Sequence, residues 1–522
     1  MIEVKNIELS LDQTMSEKII AKKLGCSVLD IQSFSLLKES LDARKNKMHL
    51  IYTVLVKIKN EKKYYSLLDV QQHTPINDEP LELENHLAYQ PIVIGFGPSG
   101  MFAALTLAEA GCRPIILERG ACVEQRTLDV QQFWDSGFLN PESNVQFGEG
   151  GAGTFSDGKL TTRIKDHRVS TVLKRLVDAG ADPAILYQSH PHLGTDKLVD
   201  IVKNIRNRII SLGGEIHFDT KFESFTSVDD KKIVHTSQGD FSTNALFLCL
   251  GHSAKDTITS LMDCHLHIEP KSFAVGLRIE HSQKFINVNQ YGKYASHPRL
   301  GAAEYRLSHT ASNNRGVYSF CMCPGGVVIP SSNVENTIVV NGMSKSDRAD
   351  TNANSALLVQ IPVEDFYVSS ALDGFIFQEK IEQQAFQLAG ETYKAPVQLV
   401  QDYINNTPTT SIGSIIPSYS LGYTLSNLRS LFSAEVNQSL TEALLAFDKK
   451  IKGFSSSDAI FTGPETRSSC PIRISRNEFL ESVSHPLVFP VGEGSGYAGG
   501  IISSAVDGIR CAQQFITSQN KK

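Results

Sequence analysis

The sequence predicts an α/β fold in three parts: a small N-terminal α+β domain, a discontinuous nucleotide-binding domain, and a strand-rich α+β domain inserted into it. Three observations carry that expectation. A short apolar strand, a glycine loop and an alanine-rich helix follow one another in "IVIGFGPSGMFAALTLAEAGCRPIILERG", residues 92–120. The same grammar returns near the C-terminus in "LVFPVGEGSGYAGGIISSAVDGIRCAQQF". Between about 268 and 480 it gives way to strand-rich pieces separated by polar loops, so one pattern stops and resumes around another.

Residues 1–75 read as the small α+β domain. A strand from Ile2 to Leu9 precedes a helix that begins near Ser16 and Glu17 and stops at Gly25. Leu50, Tyr52, Val54, Val56 and Ile58 then alternate as on a half-buried strand. Between Lys38 and Lys63, eight basic residues stand against Glu39, Asp42 and Glu61. A solvated face explains that excess, and RNA or an acidic partner is the alternative, although no aromatic stacking platform accompanies it. Residues 76–90, polar and proline-bearing, read as a linker.

The nucleotide domain is expected over 91–267 and 481–522. Its first strand, Ile92–Ile94, feeds Gly95, Gly97 and Gly100, with Pro98 and Ser99 between them, and then a helix to about Ala110. That is a Rossmann-like G-x-G-x-x-G: one glycine for the turn, one for approach of a pyrophosphate, one for helix–strand packing. Unpaired amides and the helix dipole favour an anion there. A second strand, Pro114–Leu117, delivers Glu118, 23 residues after Gly95, where a carboxylate accepts ribose hydroxyls; Arg119 follows. Farther on come a helix over "TDKLVDIVKNIRNRIIS" capped by Thr195, a β-meander from Lys221 to Thr243, and a buried strand from Ala245 to Leu250 that ends at Gly251. In the insert, 268–480, helices are expected near 376–389 and 438–451.

Length and composition agree with this plan. At 522 residues the chain exceeds one ordinary core. A net charge of -6 gives no reason for general attraction to nucleic acid or membranes. "MIEVKNIELS" lacks an apolar h-region, and nine scattered cysteines suit reduced thiols, so the expected location is cytoplasmic.

Two further glycine-rich segments, "NVQFGEGGAGTFSDGKLTTR" (144–163) and "FPVGEGSGYAGGIISSAVDG" (489–508), resemble flavin-contact segments of FAD enzymes related to fumarate reductase. With "LCLGHSAKDT" (248–257), "SFCMCPGG" (319–326), "NGMS" (341–344) and "TRSSCPIRI" (466–474), the chain resembles a bacterial family of NAD(FAD)-utilising, FAD-dependent dehydrogenases. The resemblance implies FAD as cofactor, a Rossmann-like FAD-binding domain and an oxidoreductase acting on an unidentified small molecule. It matches Gly150, Gly151, Ala152, Gly153 and Thr154 to a loop beside the isoalloxazine. It matches Gly492 and Glu493 to a Gly-Asp pair on the ribityl side. Gly499, Gly500 and Ile501 open a terminal helix whose amides would face the flavin N1 and O2 edge, unless the two glycines serve only tight packing.

Substrate is expected between the flavin domain and the 268–480 insert, the substrate or cap domain. Arg278, His281, Arg348, Arg467 and Arg473 are candidate anion or carbonyl contacts, since arginine can fork a carboxylate. Asp157, Lys159 and Arg163 follow the flavin loop, Lys159 as a proton donor or a salt-bridge partner. Cys321 and Cys323 read as a buried strand with both thiols on one face, or as a flavin-adjacent thiol pair. His190/His192 and His265/His267 lack a recognisable ligand set, and no metal is expected. No second strand–GxGxxG–helix unit is evident, so NAD(P)H is one candidate electron donor without a dedicated domain. Alternatives are an RNA-associated flavoprotein and a non-catalytic FAD-binding protein. Neither a membrane nor nucleic acid is an expected partner.

Overall fold

The computed structural model describes residues 1–43, 47–75, 81–229 and 231–521. Arg44 and Lys45 of the basic stretch, and 76–80 of the expected linker, lie outside the described residues.

At the N-terminus, β1 (Ile2–Ser10), α1 (Glu17–Leu24), β2 (Ile31–Asp42), β3 (His49–Ile58) and β4 (Val70–Gln72) form an antiparallel sheet in the order β2-β3-β1-β4. Leu50, Tyr52, Val54, Val56 and Ile58 of β3 are buried as their alternation requires, and Gly25 closes α1 in a left-handed conformation. β2 escaped the sequence pattern because "IQSFSLLKESLD" lies at the sheet edge, largely half-exposed, with bulges that interrupt its period of two. Its Glu39 amide donates to Tyr187 O at 2.7 Å, and Ser189 N donates to Glu39 O at 2.9 Å, docking this sheet on the next part of the chain.

There β5 (Ile92–Ile94), α2 (Pro98–Glu109), β6 (Ile115–Leu117), α3 (Val123–Ser136), α4 (Arg168–Asp178), α5 (Thr195–Ser211) and β7 (Glu215–His217) follow. The meander is β8 (Phe222–Val228), β9 (Lys231–Thr236) and β10 (Gly239–Thr243); β11 (Leu246–Leu248) and α6 (Lys255–Asp263) come after it. Next are β12 (Ile268–Pro270), β13 (Phe273–Ser282), α7 (Gln283–Tyr291), β14 (Ser308–Thr310), β15 (Gly316–Cys323), β16 (Gly326–Pro330) and β17 (Val340–Ser344). Then come β18 (Asn352–Ile361), α8 (Asp373–Leu388), β19 (Ala395–Leu399), α9 (Val400–Asn405), β20 (Tyr423–Leu425), α10 (Ala434–Lys450), β21 (Ile460–Glu465) and β22 (Ile472–Ile474). β23 (Val488–Pro490) and α11 (Ile501–Asn520) end the chain.

The result is a mixed α/β architecture. A five-stranded parallel sheet runs β23-β11-β5-β6-β7, so a strand from the C-terminal stretch completes a sheet begun at residue 92. Its strands are apolar on both faces because both are covered. Val93, Ile116, Phe247 and Phe489 face α2, α5 and α11, while Ile92, Ile94, Leu117, Leu246 and Leu248 face the meander and α6. A seven-stranded sheet, β14-β15-β18-β13-β21-β19-β20, forms a separate core with α8 and α10.

Three local expectations change. Thr195 is the first residue of α5 rather than its cap; Gly194 occupies the cap and Thr195 Oγ1 donates to Thr154 O at 2.7 Å. Residues 81–90 are strapped down rather than loose: Leu83 and Leu87 pack on the sheet core, and Glu84 N and Asn85 Nδ2 bond the end of α11. The third change, a bulge at Cys321, belongs with the site. Among the described residues, no helix is long and apolar enough to cross a membrane.

Candidate functional site

The parallel sheet gathers the glycine segments at one edge. Loops leaving the carboxyl ends of β5, β6, β11 and β23 carry Gly95–Gly100, Glu118, Gly251 and Gly492 respectively. From β5 the chain passes to β6 on one side, while β11 lies on the other, so the crevice above β5 and β11 is a topological switch point, the usual ligand position in open α/β sheets. Gly95 must be glycine: its φ is 91° and a Cβ would lie 2.5 Å from Cys249 O. A Cβ at Gly100 would collide with Gly95 O, which seats α2 on β5.

Contacts between the segments are close, two of them to backbone and two to side chains. Gly151 lies against Gly97, Gly153 against Ile501, Gly492 against Ser99, and Gly494 against Gly251. α11 packs on α2 where Gly508, two turns into α11, meets Ser99 O, and the two helix starts come together at Gly153, whose Cβ would touch both Ile501 and Pro98. Neither helix has a side-chain cap: Gly97 and Gly500 stand at the cap positions, and Pro98 opens α2. Around Gly499 a Cβ would meet nothing within 4 Å, and at Gly500 only Ser503 Oγ at 4.0 Å. Tight packing therefore does not account for this pair of glycines.

The loop over 144–154 is held by a residue the sequence did not single out. Arg126 is fully buried on α3 and donates to the carbonyls of Asn144, Val145, Gly148, Glu149 and Gly151. Burial lowers its pKa to about 10, so it remains a cation. Ala152 begins a single 3₁₀ turn, and Thr154 Oγ1 is buried without a hydrogen-bond partner among the described residues.

Glu118 is turned inward. Its Oε2 accepts from Phe96 N at 2.7 Å, and its Oε1 from Gly120 N and Gly148 N at 3.0 Å each, tying three loops together. Arg119 is committed to Glu142 and Asp256 and stacks on Phe147 at 3.8 Å. Glu493 pairs with His252 Nδ1 at 3.2 Å, whereas Asp507, paired with Arg476, accepts from Gly492 N at 2.8 Å. The carboxylate that anchors the Gly492 turn is thus Asp507. The spacing from Gly492 gave no signal for it, because it comes from inside α11.

The polar candidates divide into two groups. Beyond the loop, Asp157 forks Arg348 and Lys159 pairs with Glu304 at 3.2 Å, while His190 bonds the same Glu304. Burial would raise Glu304, but the His190 hydrogen bond and the Lys159 charge outweigh it and hold the carboxyl near about 2. His192 Nε2 meets Ser346 O at 3.1 Å, and Arg163 is exposed. In the second group, Arg467 forks Glu382 and bonds Asn333, lining a small cleft with His252, Lys255 and Gln378.

Two expected substrate contacts do not survive. Arg278 is fully buried and its five N–H groups serve Asn354, Asn341, Glu465, Cys321 O and Cys323 Sγ, leaving no donor for a substrate. His281 is 1% exposed, meets Phe454 O through Nε2 at 2.7 Å and stacks on Phe285; burial pushes its pKa down to about 4. Arg473 is exposed and faces Tyr497. His265 and His267 lie on the surface before β12, away from His190 and His192 in sequence and in their contacts.

Fold and site define an α/β protein with glycine loops gathered at a sheet switch point. Residues 272–468 match a family model described as "FAD-dependent protein, C-terminal domain-like", and residues 1–57 match a domain of unknown function. An uncharacterized protein of Clostridium beijerinckii is 48% identical over 526 residues, covering 99% of this chain and 98% of that one. The chain belongs to the same family as that clostridial protein. Among solved structures, glycine oxidase from Geobacillus kaustophilus aligns at 11% identity and a TM-score of 0.32, covering 83% of this chain and 95% of that chain. Halogenase PltM aligns at 12% identity and a TM-score of 0.37, covering 83% and 70%.

Proposed function

We propose that this protein is a FAD-dependent oxidoreductase, moving electrons or hydride between bound flavin and a small-molecule substrate. The observation that supports it most is the convergence of Gly95–Gly100, Gly150–Thr154 and Gly492–Ile501 at one sheet edge, beneath two uncapped helix starts. That cradle fits a dinucleotide. Uncapped amides at Gly97 to Gly100 suit a pyrophosphate, and the spare acceptor capacity of Glu118 suits ribose hydroxyls. Thr154 Oγ1 and the open start of α11 suit a polar ring edge. The flavin, when bound, supplies the two-electron chemistry.

The chain's own residues would then position substrate. In this reading 91–267 and 481–522 form the FAD-binding domain, 268–480 the substrate or cap domain, and 1–75 a small appended domain. Lys159 and Arg348, each held by a carboxylate, are candidates beside the Gly150–Thr154 loop, and Arg467 is a candidate in the cleft with His252 and Lys255. Reduced NAD(P)H is one electron donor to be tried. Reconstitution tests the reading: purified protein should take up one FAD, and an anaerobic screen of NADH, NADPH and metabolite pools should find a reductant that bleaches it. Folded protein that takes up no FAD overturns it.

A further inference from the structure

β15 leaves its regular ladder at Cys321. Phe320 pairs with Ala356 and Cys323 with Asn354, so the strand carries one extra residue between them, and Cys321 adopts a φ of 41°. A bulge re-aims the side chains around it, and a non-glycine residue at positive φ persists only where its surroundings enforce it. Arg278 does so here, with Nη2 donating to Cys321 O at 2.6 Å and facing Cys323 Sγ at 3.7 Å. Glu465, Asn341 and Asn354 fix the rest of that guanidinium.

The two cysteines are close and unequal. Cys323 is buried, and its Sγ turns back to lie 3.2 Å from Cys321 O. Cys321 is half-buried, and the Cys323 hydrogen bond, then the charges of Arg278 and Lys159, outweigh burial and lower its pKa. The Cys321 bond and burial raise Cys323. A half-buried, thiolate-prone cysteine beside a fully buried one has the asymmetry of a redox pair. Lys159 and Asp157, whose charges reach Cys321, follow the Gly150–Thr154 loop directly in sequence. Arg348, which forks Asp157, also sets its carbonyl against Gly325, two residues beyond Cys323, so the pair lies beside the continuation of that loop.

We propose that Cys321 and Cys323 are a reversible dithiol–disulfide pair that exchanges two electrons with the flavin, an inference that rests on the reading above. The Cys321 thiolate and the Cys323 thiol form one S–S bond; the S–H bond breaks, and two electrons and one proton pass to oxidised flavin. The reverse step returns them.

The test uses the full chain with its flavin, equilibrated anaerobically across dithiothreitol buffers of graded poise, then denatured and alkylated. Mass analysis should show the 321–323 peptide losing two hydrogens and two alkylation sites together, while the other seven of the nine cysteines stay labelled. The dithiol form should bleach the flavin, or light-reduced flavin should release two thiols from the disulfide form. Cys323→Ser should do neither while binding flavin normally, and Cys321→Ala serves if that variant fails to fold. A peptide that stays fully alkylated at every poise overturns the pair. A disulfide that forms while FAD-loaded protein exchanges nothing overturns the electron transfer. Protein that takes up no FAD overturns the functional reading, while the mass measurement still decides the pair.

Discussion

A Cβ on Gly151 would lie 2.9 Å from the Gly97 Cα, so the loop after β5 and the loop before the Ala152 turn meet backbone to backbone. Gly151 also has a φ of 61°. With ψ at -169° this is a region essentially reserved for glycine, so Gly151→Ala must part the loops and hold a strained alanine, which costs about 1–3 kcal/mol before any clash. FAD affinity, titrated by flavin fluorescence, should fall at least tenfold, roughly 1.4 kcal/mol. Gly499→Ala is the control, since its side chain enters empty space. Its unfolding midpoint should match wild type, so any loss of FAD affinity there reports the cofactor rather than the fold.

Glu118 accepts three backbone amides, an arrangement that stabilises the protein before any ligand arrives. Each orphaned buried donor costs about 1–3 kcal/mol, less what loop relaxation recovers. Glu118→Ala should lower the unfolding free energy of FAD-free protein by at least about 2 kcal/mol in denaturant titrations. Glu118→Gln should fall between, because its amide group would face the Phe96 N–H as a second donor. Unchanged stability in both would mean that Glu118 acts only on ribose.

What the sequence made legible was local. "IVIGFGPSG" shows an apolar strand, a turn and a helix start within nine residues, and no distant contact is needed to read them. Arg126 was hidden because "VEQRTLDVQQFW" reads as an ordinary amphipathic helix, and its burial depends on five carbonyls from another loop. Arg278 misled for a related reason. An arginine in "FAVGLRIEHS" suggests a fork for a substrate anion, but β13 is central and covered on both sides, so Arg278 is paired inside with Glu465, as Glu280 is bonded by Ser418. The Cys321 bulge depends on register with β18, which strand periodicity does not encode.

His281 should make the protein acid-sensitive. Its pKa falls from 6.5 to about 4 on folding through burial. The unfolded chain thus binds the proton more tightly, and stability present above pH 6.5 is lost as pH falls toward 4. At 1.36 kcal/mol per unit the full effect is about 3 kcal/mol. Urea midpoints measured between those pH values should drop in wild type, and His281→Gln should remove this part of the slope. An identical slope in both would show that other groups dominate.

Arg467 tests whether a cleft residue is structural, functional or both. Its fork with Glu382, at 2.9 and 2.6 Å, neutralises a carboxylate that is fully buried. Arg467→Ala leaves that charge uncompensated and should cost about 3–5 kcal/mol. Lost flavin reduction in this variant alone would therefore be ambiguous. Arg467→Met combined with Glu382→Gln removes both charges at similar volume and should recover most of the stability, since neutral replacements of buried ion pairs are well tolerated. If Arg467 also faces substrate, the double variant should fold, bind FAD and still react at least a hundredfold more slowly with whichever reductant bleaches the wild type. Recovery of the rate together with the stability would assign Arg467 to the fold alone.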